Sequence, residues 1–418
     1  MTLAARTQRL DHDVDLLAFA GDDGVLFERG RVGLAGRGIA GSLDWPAGDP
    51  RAAAPGVAAG LADVTVLEDE VDRPGTGAVA FGALPFVPGA GAQLVVPALV
   101  VGRGDDGTRW LTTVGPADDP RHHASPGELL AAVPPVEPLP PPRTITVQSI
   151  VEPDDWCELV ERATKVLAGA SGPDDLRKVV LAREVHVQGD RPFDRVALLD
   201  RLRTTFPGCH IVAVGRLVCA SPELLVSRSG EMVRSHPMAG TAPRGGDPTT
   251  DQRLAASLLA STKDRAEHQI TIDMVHDTLL PWCSYLDYEA EPSVVPVANV
   301  QHLATLVEGR LSQPPPSVLE LVAALHPTPA VSGSPRDAAV AWIGANEGFD
   351  RGLYAGTAGW TDGRGNGTWA VAVRAAELDG DAVRVIAGNG IVADSDPETE
   401  LAETRVKLQA LLTALVRP

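Results

Sequence analysis

The sequence predicts a protein that mixes strands and helices along one long chain. Three observations carry that expectation. Short apolar runs separated by turn residues fill the first third, strand patterns alternate with long helical periodicities in the rest, and dipeptides suited to tight turns lie between apolar runs.

The first part, residues 1–143, is rich in Gly and Ala, with runs such as Leu94 to Val101 that read as strands. From Gly77 to Gly102 there is no charged side chain, but Pro85, Pro88 and Pro97 would break any spanning helix, so buried strands are expected there. Pro134 to Arg143 contains six prolines and can hold neither a helix nor a central strand; it separates 1–143 from 144–418. In the second part, Lys178 opens the apolar strand pattern Lys178 to Arg183. Leu224 to Val233 reads as a hairpin turning at Ser229-Gly230. Asp247-Pro248 supplies a cap and first position for a helix through Leu254, Leu258 and Leu259, with Glu267 to Leu279 continuing as helix after a break. Pro314 to Pro316 reads as a loop, because apolar patterning resumes at Leu319. Val371 to Ile386 reads as a hairpin turning at Asp379-Gly380, and Asp396-Pro397 begins the last helix.

A chain of 418 residues with 44% apolar content can bury a large core, while the net charge of −19 argues against a nucleic-acid partner, which needs clustered Lys and Arg. An anionic ligand would then need local positive charge, from a metal or from a few placed basic residues. The four cysteines show no C-x-x-C spacing, which suits a reducing compartment, and the charged N-terminus lacks a signal-like apolar stretch. The expectation is a cytoplasmic protein with no membrane partner and no obligatory protein partner.

Several residues carry candidate chemistry. On the last helix Glu400, Glu403 and Lys407 share one face beside a leucine stripe. Enclosed carboxylates at i and i+3 need a cation, and hard oxygen ligands suit Mg²⁺; a solvated face with a Glu403–Lys407 pair accounts for the same pattern. A partly desolvated Lys178 can serve as a base, although a strand-end lysine reaching solvent fits as well. Glu223, just ahead of an apolar strand, can be a general acid if enclosed, or a simple turn carboxylate. Arg374 reads as a strand residue on a face carrying Ala370, Ala372 and Ala376, with room for a carboxylate or for a cross-strand ion pair. Gly388-Asn389-Gly390 lets backbone N–H groups approach an anion, or marks a bulge, and His302 is a pocket hydrogen-bonder or a structural histidine.

Taken in order, the segments KVVLAR at Lys178, SPELLV at Ser221, HPMAGTAPRG at His236, KDRAEHQI at Lys263, VQHL at Val300, LHPTPAVSGSP at Leu325, GFDRGLYAGTAGW at Gly348, VAVRAA at Val371, AGNGIV at Ala387 and SDPETELAETRVKL at Ser395 resemble the chorismate-utilising enzymes. That family holds the isochorismate, salicylate, anthranilate and aminodeoxychorismate synthases. GAVAFGALPFVP at Gly77 extends the resemblance, toward the isochorismate synthases, over nearly the whole chain. The resemblance implies one large α+β fold of two packed antiparallel sheets with flanking helices, with 144–418 as the chorismate-binding core. It implies that Lys178 deprotonates water and Glu223 protonates the departing hydroxyl. Glu267 and Glu403 look like Mg²⁺ ligands, with Glu400 nearby, and Tyr354, Arg374 and the Gly388 and Gly390 backbone look like the grip on the enolpyruvyl carboxylate. His302, Ala330 and Lys407 complete the expected substrate contacts.

Within the family, lysine at Lys178 favours water over ammonia and so argues against an anthranilate synthase, and Ala239 leaves no amine to attack the ring as in aminodeoxychorismate synthases. Ala330 stands where salicylate synthases are expected to carry Thr. A non-catalytic chorismate-binding subunit would have no use for a matched acid and base. The chemistry is common to menaquinone, siderophore and salicylate routes.

Overall fold

The computed structural model describes residues 3–416 apart from residue 173. Among the described residues the strands form a 13-stranded sheet, a 9-stranded sheet and a small 3-stranded sheet. The large sheet runs from the edge strand Ile145–Ser149 through Lys178–Gly189, Ala382–Ile391, Ala375–Asp379, Leu217–Ser221 and His210–Val214, then into N-terminal strands ending at Thr65–Asp69. The 9-stranded sheet likewise mixes strands from both sides of the proline connector, including Val79–Leu84, Leu224–Ser229 and Gly367–Val371. The two large sheets accord with the expected architecture. The third sheet is an addition to it, and Leu3–Arg9 pairs with Thr65–Asp69 in parallel rather than antiparallel fashion.

Packing follows the apolar pattern. Phe27, Leu181 and Trp110 of the large sheet meet Phe81 and Trp369 of the second sheet in one core. A second core lies on the outer face of the large sheet, where Leu199 and Leu202 of helix Arg195–Thr205 and Leu408 and Leu411 of helix Pro397–Val416 cover Ile211, Val218 and Val385. Lys178–Gly189 is buried over its first eight residues, as expected of a strand covered on both faces.

Local signals match in most places. Residues 134–142 form no helix or strand, and the chain from Gly77 to Gly102 builds strands Val79–Leu84, Ala92–Val96 and Leu99–Arg103. The N-terminal part also holds a 13-residue helix, Pro50–Ala62. Asp247 caps helix Pro248–Ala260 by accepting from the Thr250 N–H at 2.8 Å. The break falls at Ser261, whose hydroxyl caps the next helix, Thr262–Leu279, by accepting from Asp264 N–H at 3.2 Å.

Three local readings are corrected. Both hairpin turns lie one residue later than expected, at Gly230-Glu231 and Gly380-Asp381, because Ser229 pairs with Met232 and Asp379 with Ala382. In each loop the glycine takes the position with positive φ, 60° at Gly230 and 64° at Gly380. Val371 does not belong to the second hairpin: it ends strand Gly367–Val371 of the 9-stranded sheet, and the hairpin starts at Ala375 in the large sheet. Arg374 therefore sits on no strand but in the crossing between sheets, with φ at 52°.

That crossing has a counterpart. Pro222-Glu223 joins strand Leu217–Ser221 of the large sheet to Leu224–Ser229 of the second. The two crossings are stitched together, Val371 N–H donating to Glu223 C=O and Ala220 N–H to Arg374 C=O, each at 3.1 Å. Two segments far apart in sequence thus change sheets at one place, and each carries an ionisable side chain there.

Candidate active site

A cleft with about 830 Å³ of open space, counting its mouth, lies beside these crossings. Its walls are the crossings, strand Ala382–Ile391, the 3-stranded sheet, the Ala330-Val331 loop, and the starts of helices Thr262–Leu279 and Pro397–Val416. Glu223, Glu267, His302, Ala330, Tyr354 and Arg374 line it, as do Gly388, Gly390, Glu400, Glu403 and Lys407. Lys178 lies directly behind, 1% exposed, with its Nζ 2.9 Å from Glu267 Oε1.

Each charged group has a distinct environment. Glu223 is 5% exposed, and burial pushes its carboxyl up to about 8 against the opposing pull of the Met238 amide, Lys178 and Arg374. The side chain is therefore a protonated acid near neutral pH. Glu267 is half-buried, but the charge and hydrogen bond of Lys178, with smaller help from Lys407 and Lys263, outweigh the cost of desolvation and hold it below the usual carboxylate range. Glu400 moves the other way, raised by burial and by the neighbouring charge of Glu403. Lys407 reaches Glu403 at 2.7 Å and donates to Gly388 C=O at 2.9 Å, tying the last helix to strand Ala382–Ile391.

Arg374 is buried and donates from Nη2 to His302 Nε2 at 3.0 Å. Burial first, then the charges of Arg374 and Lys407, push His302 well below its ordinary value, so the ring is neutral. A neutral ring that accepts at Nε2 carries its proton on Nδ1, which faces Gly240 C=O at 3.2 Å and Thr241 Oγ1 at 3.1 Å. Arg374 thus has a partner without a charge, and its guanidinium keeps its full positive charge for a ligand. Among the described residues it makes no ion pair with a carboxylate.

The glycines admit close packing. A Cβ at Gly390 would lie 2.6 Å from Glu267 Oε1 and 3.0 Å from Lys178 Cε, and one at Gly388 would overlap the Leu181 carbonyl oxygen. These glycines are explained by close approach of the strand Lys178–Gly189 and its ion pair, not by backbone conformation.

A family model described as chorismate binding enzyme matches residues 28–416. The chain belongs to that family. This chorismate-binding enzyme is 40% identical over 283 residues to isochorismate synthase DhbC of Bacillus subtilis, covering 65% of this chain and 70% of that protein. It is 38% identical over 270 residues to isochorismate synthase EntC of Escherichia coli, covering 63% of this chain and 68% of that one. Its fold matches the solved structure of MenF, the menaquinone-specific isochorismate synthase from Escherichia coli, with a TM-score of 0.79 at 26% identity over 99% of this chain and 95% of the other.

The chorismate-binding enzyme therefore gathers into one cleft every site residue expected from sequence except Lys178, which stands behind it, screened by Glu267. Sequence reasoning missed others. Arg351 and Glu347 form a fully buried pair that clamps the Lys178 strand to the cleft: Arg351 donates to Val180 C=O at 2.6 Å and Val331 C=O at 2.8 Å, while Glu347 accepts from Ala182 N–H at 2.8 Å. The i,i+4 spacing of the two was the available signal. The Asn389 amide, between the two glycines, donates to Glu400. Lys263 and Asp264 also line the cleft, and Lys263 lies one helical turn before Glu267.

The carboxylates can be tested against a divalent cation. Among the described residues no three His, Cys, Asp or Glu side chains form a ready-made metal cage, since Glu267, Glu403 and Glu400 turn to Lys178, Lys407 and Asn389. The donors are nevertheless all oxygen, and the mutual repulsion of Glu400 and Glu403 is what a cation would relieve. Mg²⁺ takes one or two carboxylates and fills its remaining positions with water and substrate oxygens, so the donor set fits.

Proposed function

We propose that this enzyme is an isochorismate synthase, isomerising chorismate by adding water to the ring carbon beside the carboxylate-bearing one and expelling the hydroxyl across the ring. The observation that carries the reading is Glu223, a carboxyl kept protonated to about pH 8 by burial, set in the same cleft as the unpaired charge of Arg374. The relatives named as isochorismate synthases support it.

Glu223 gives its proton to the departing hydroxyl, whose loss as water completes the shift of the ring double bonds. Arg374, held by His302, and Tyr354 with the Gly388-to-Gly390 backbone bind the enolpyruvyl carboxylate, and Ala330 leaves space at the ring. Lys178 takes the proton of the attacking water, for which its amine must be uncharged. Its Nζ lies 2.9 Å from Glu267 Oε1, which holds the amine in place behind the cleft. Glu267 and Glu403, with Glu400 beside them, would hold Mg²⁺, which supplies positive charge for the ring carboxylate; Lys407 stays with Glu403. We place the enzyme in the cytoplasm, whose reducing conditions suit its four free cysteines.

The test is a purified-protein assay with chorismate and Mg²⁺, read by chromatography. Isochorismate, formed reversibly, is the expected product. Salicylate with pyruvate would reassign the enzyme as a salicylate synthase, and product only with ammonia as an anthranilate synthase.

A further inference from the structure

The substrate implied by this reading is a dianion, and the protein it approaches carries a net charge of −19. The basic groups of the cleft are unequal in what they can offer. Lys178 is neutralised by Glu267 and Lys407 by Glu403. Arg374 keeps its charge but lies buried in the interior, where it serves one carboxylate. Lys263 is different: it lines the cleft, is exposed, and among the described residues makes neither an ion pair nor a side-chain hydrogen bond.

Helix physics does not explain a lysine at this position. Lys263 sits in the first turn of helix Thr262–Leu279, where a positive side chain opposes the helix dipole. Its i,i+4 neighbour Glu267 is already committed to Lys178, and a Lys-before-Glu order is the weaker orientation for such a pair. Its charge nevertheless reaches the carboxylate cluster, acting on both Glu267 and Glu400. A placement that costs the helix a little and leaves an ammonium without a partner at the mouth of an anion-binding cleft calls for an incoming anion.

We propose that Lys263 is the entry residue of this site, capturing a carboxylate of the incoming dianion and holding it at the cleft mouth, so that it acts on encounter and binding and not on the chemical step. The inference rests on the isochorismate synthase reading. A single favourable charge at a low-dielectric mouth raises the local concentration of an anion and makes its association dependent on salt. The substitution Lys263→Arg would preserve this, since either cation serves a point-charge role.

Initial rates with chorismate and Mg²⁺ test it in wild type, Lys263→Gln and Lys263→Arg over a series of KCl concentrations. Lys263→Gln is expected to raise KM about 3- to 10-fold with kcat within about twofold, and Lys263→Arg to restore KM to within about twofold of wild type. The kcat/KM of wild type should fall more steeply with KCl than that of Lys263→Gln. Wild-type turnover with KM and salt slope unchanged in Lys263→Gln overturns the inference alone, as does a loss confined to kcat. Failure of the wild type to turn over chorismate overturns instead the functional reading beneath it.

Discussion

Glu223 shows how one side chain acquires a role from its surroundings. An ordinary glutamate would be ionised at pH 7 and useless as an acid, but burial carries its titration to about 8. Turnover should therefore hold through neutral pH and decline as pH rises past about 8, where Glu223 loses the proton that the proposed mechanism has it deliver; a pH profile of kcat checks this. Glu223→Gln should lower kcat by about 10²–10⁴-fold with circular dichroism unchanged. Stability gives a second readout. The folded carboxyl titrates above its ordinary 4.5, so the native state holds a proton that the unfolded chain releases, and the contribution of Glu223 to stability declines from about pH 4.5 to about 8 and then levels. Glu223→Gln lacks this group, so its melting temperature should gain on that of wild type across the same window.

At the scale of elements, the two sheet crossings and the glycine strand decide the site. Arg374 holds φ at 52°, a left-handed conformation that costs a non-glycine residue about 1 kcal/mol or more. Both Arg374→Ala and Arg374→Gly should raise KM for chorismate, and Arg374→Gly should be the more stable by about 1 kcal/mol in denaturant titration, since glycine adopts that φ freely. The glycines of strand Ala382–Ile391 separate two functions. Gly390→Ala meets the flexible end of Glu267 and should cost activity more than stability, whereas Gly388→Ala meets the Leu181 carbonyl and should lower the melting temperature markedly. Activity and thermal melts of both variants, compared side by side, check the distinction. The sequence showed Gly388-Asn389-Gly390 as a candidate anion-binding loop; that Gly390 lies against the Lys178–Glu267 pair was not legible there, because it depends on strand Lys178–Gly189 being the neighbour.

For the whole molecule, charge is the governing quantity. An acidic protein that handles a dianion must supply positive charge locally, and the cleft commits Lys178 and Lys407 to its own glutamates. Divalent cation should therefore bind the folded protein without substrate, relieving Glu400 and Glu403. Mg²⁺ is expected to raise the melting temperature, by an amount equivalent to about 2.7 kcal/mol at a hundredfold excess over Kd. Glu403→Gln should abolish most of that shift, and chelator should reverse it in wild type while stopping turnover. The two large sheets matter to this arrangement because each contains strands from both sides of the proline connector, so the first part of the chain completes the sheets from which residues of 144–418 line the cleft.

The sequence by itself determined the kinds of groups available and the local elements that carry them. The cap at Asp247, the last helix from Pro397 and the ordered motifs from Lys178 to Leu408 are written in short stretches, where neighbouring residues supply the physics. Only the tertiary structure decided which charges meet. That Lys178 faces Glu267, that Arg374 lies off the strands at a sheet crossing and rests on His302, and that Glu223 is buried all depend on segments brought together across the chain. Desolvation and pairing are properties of a three-dimensional neighbourhood, so no local pattern encodes them.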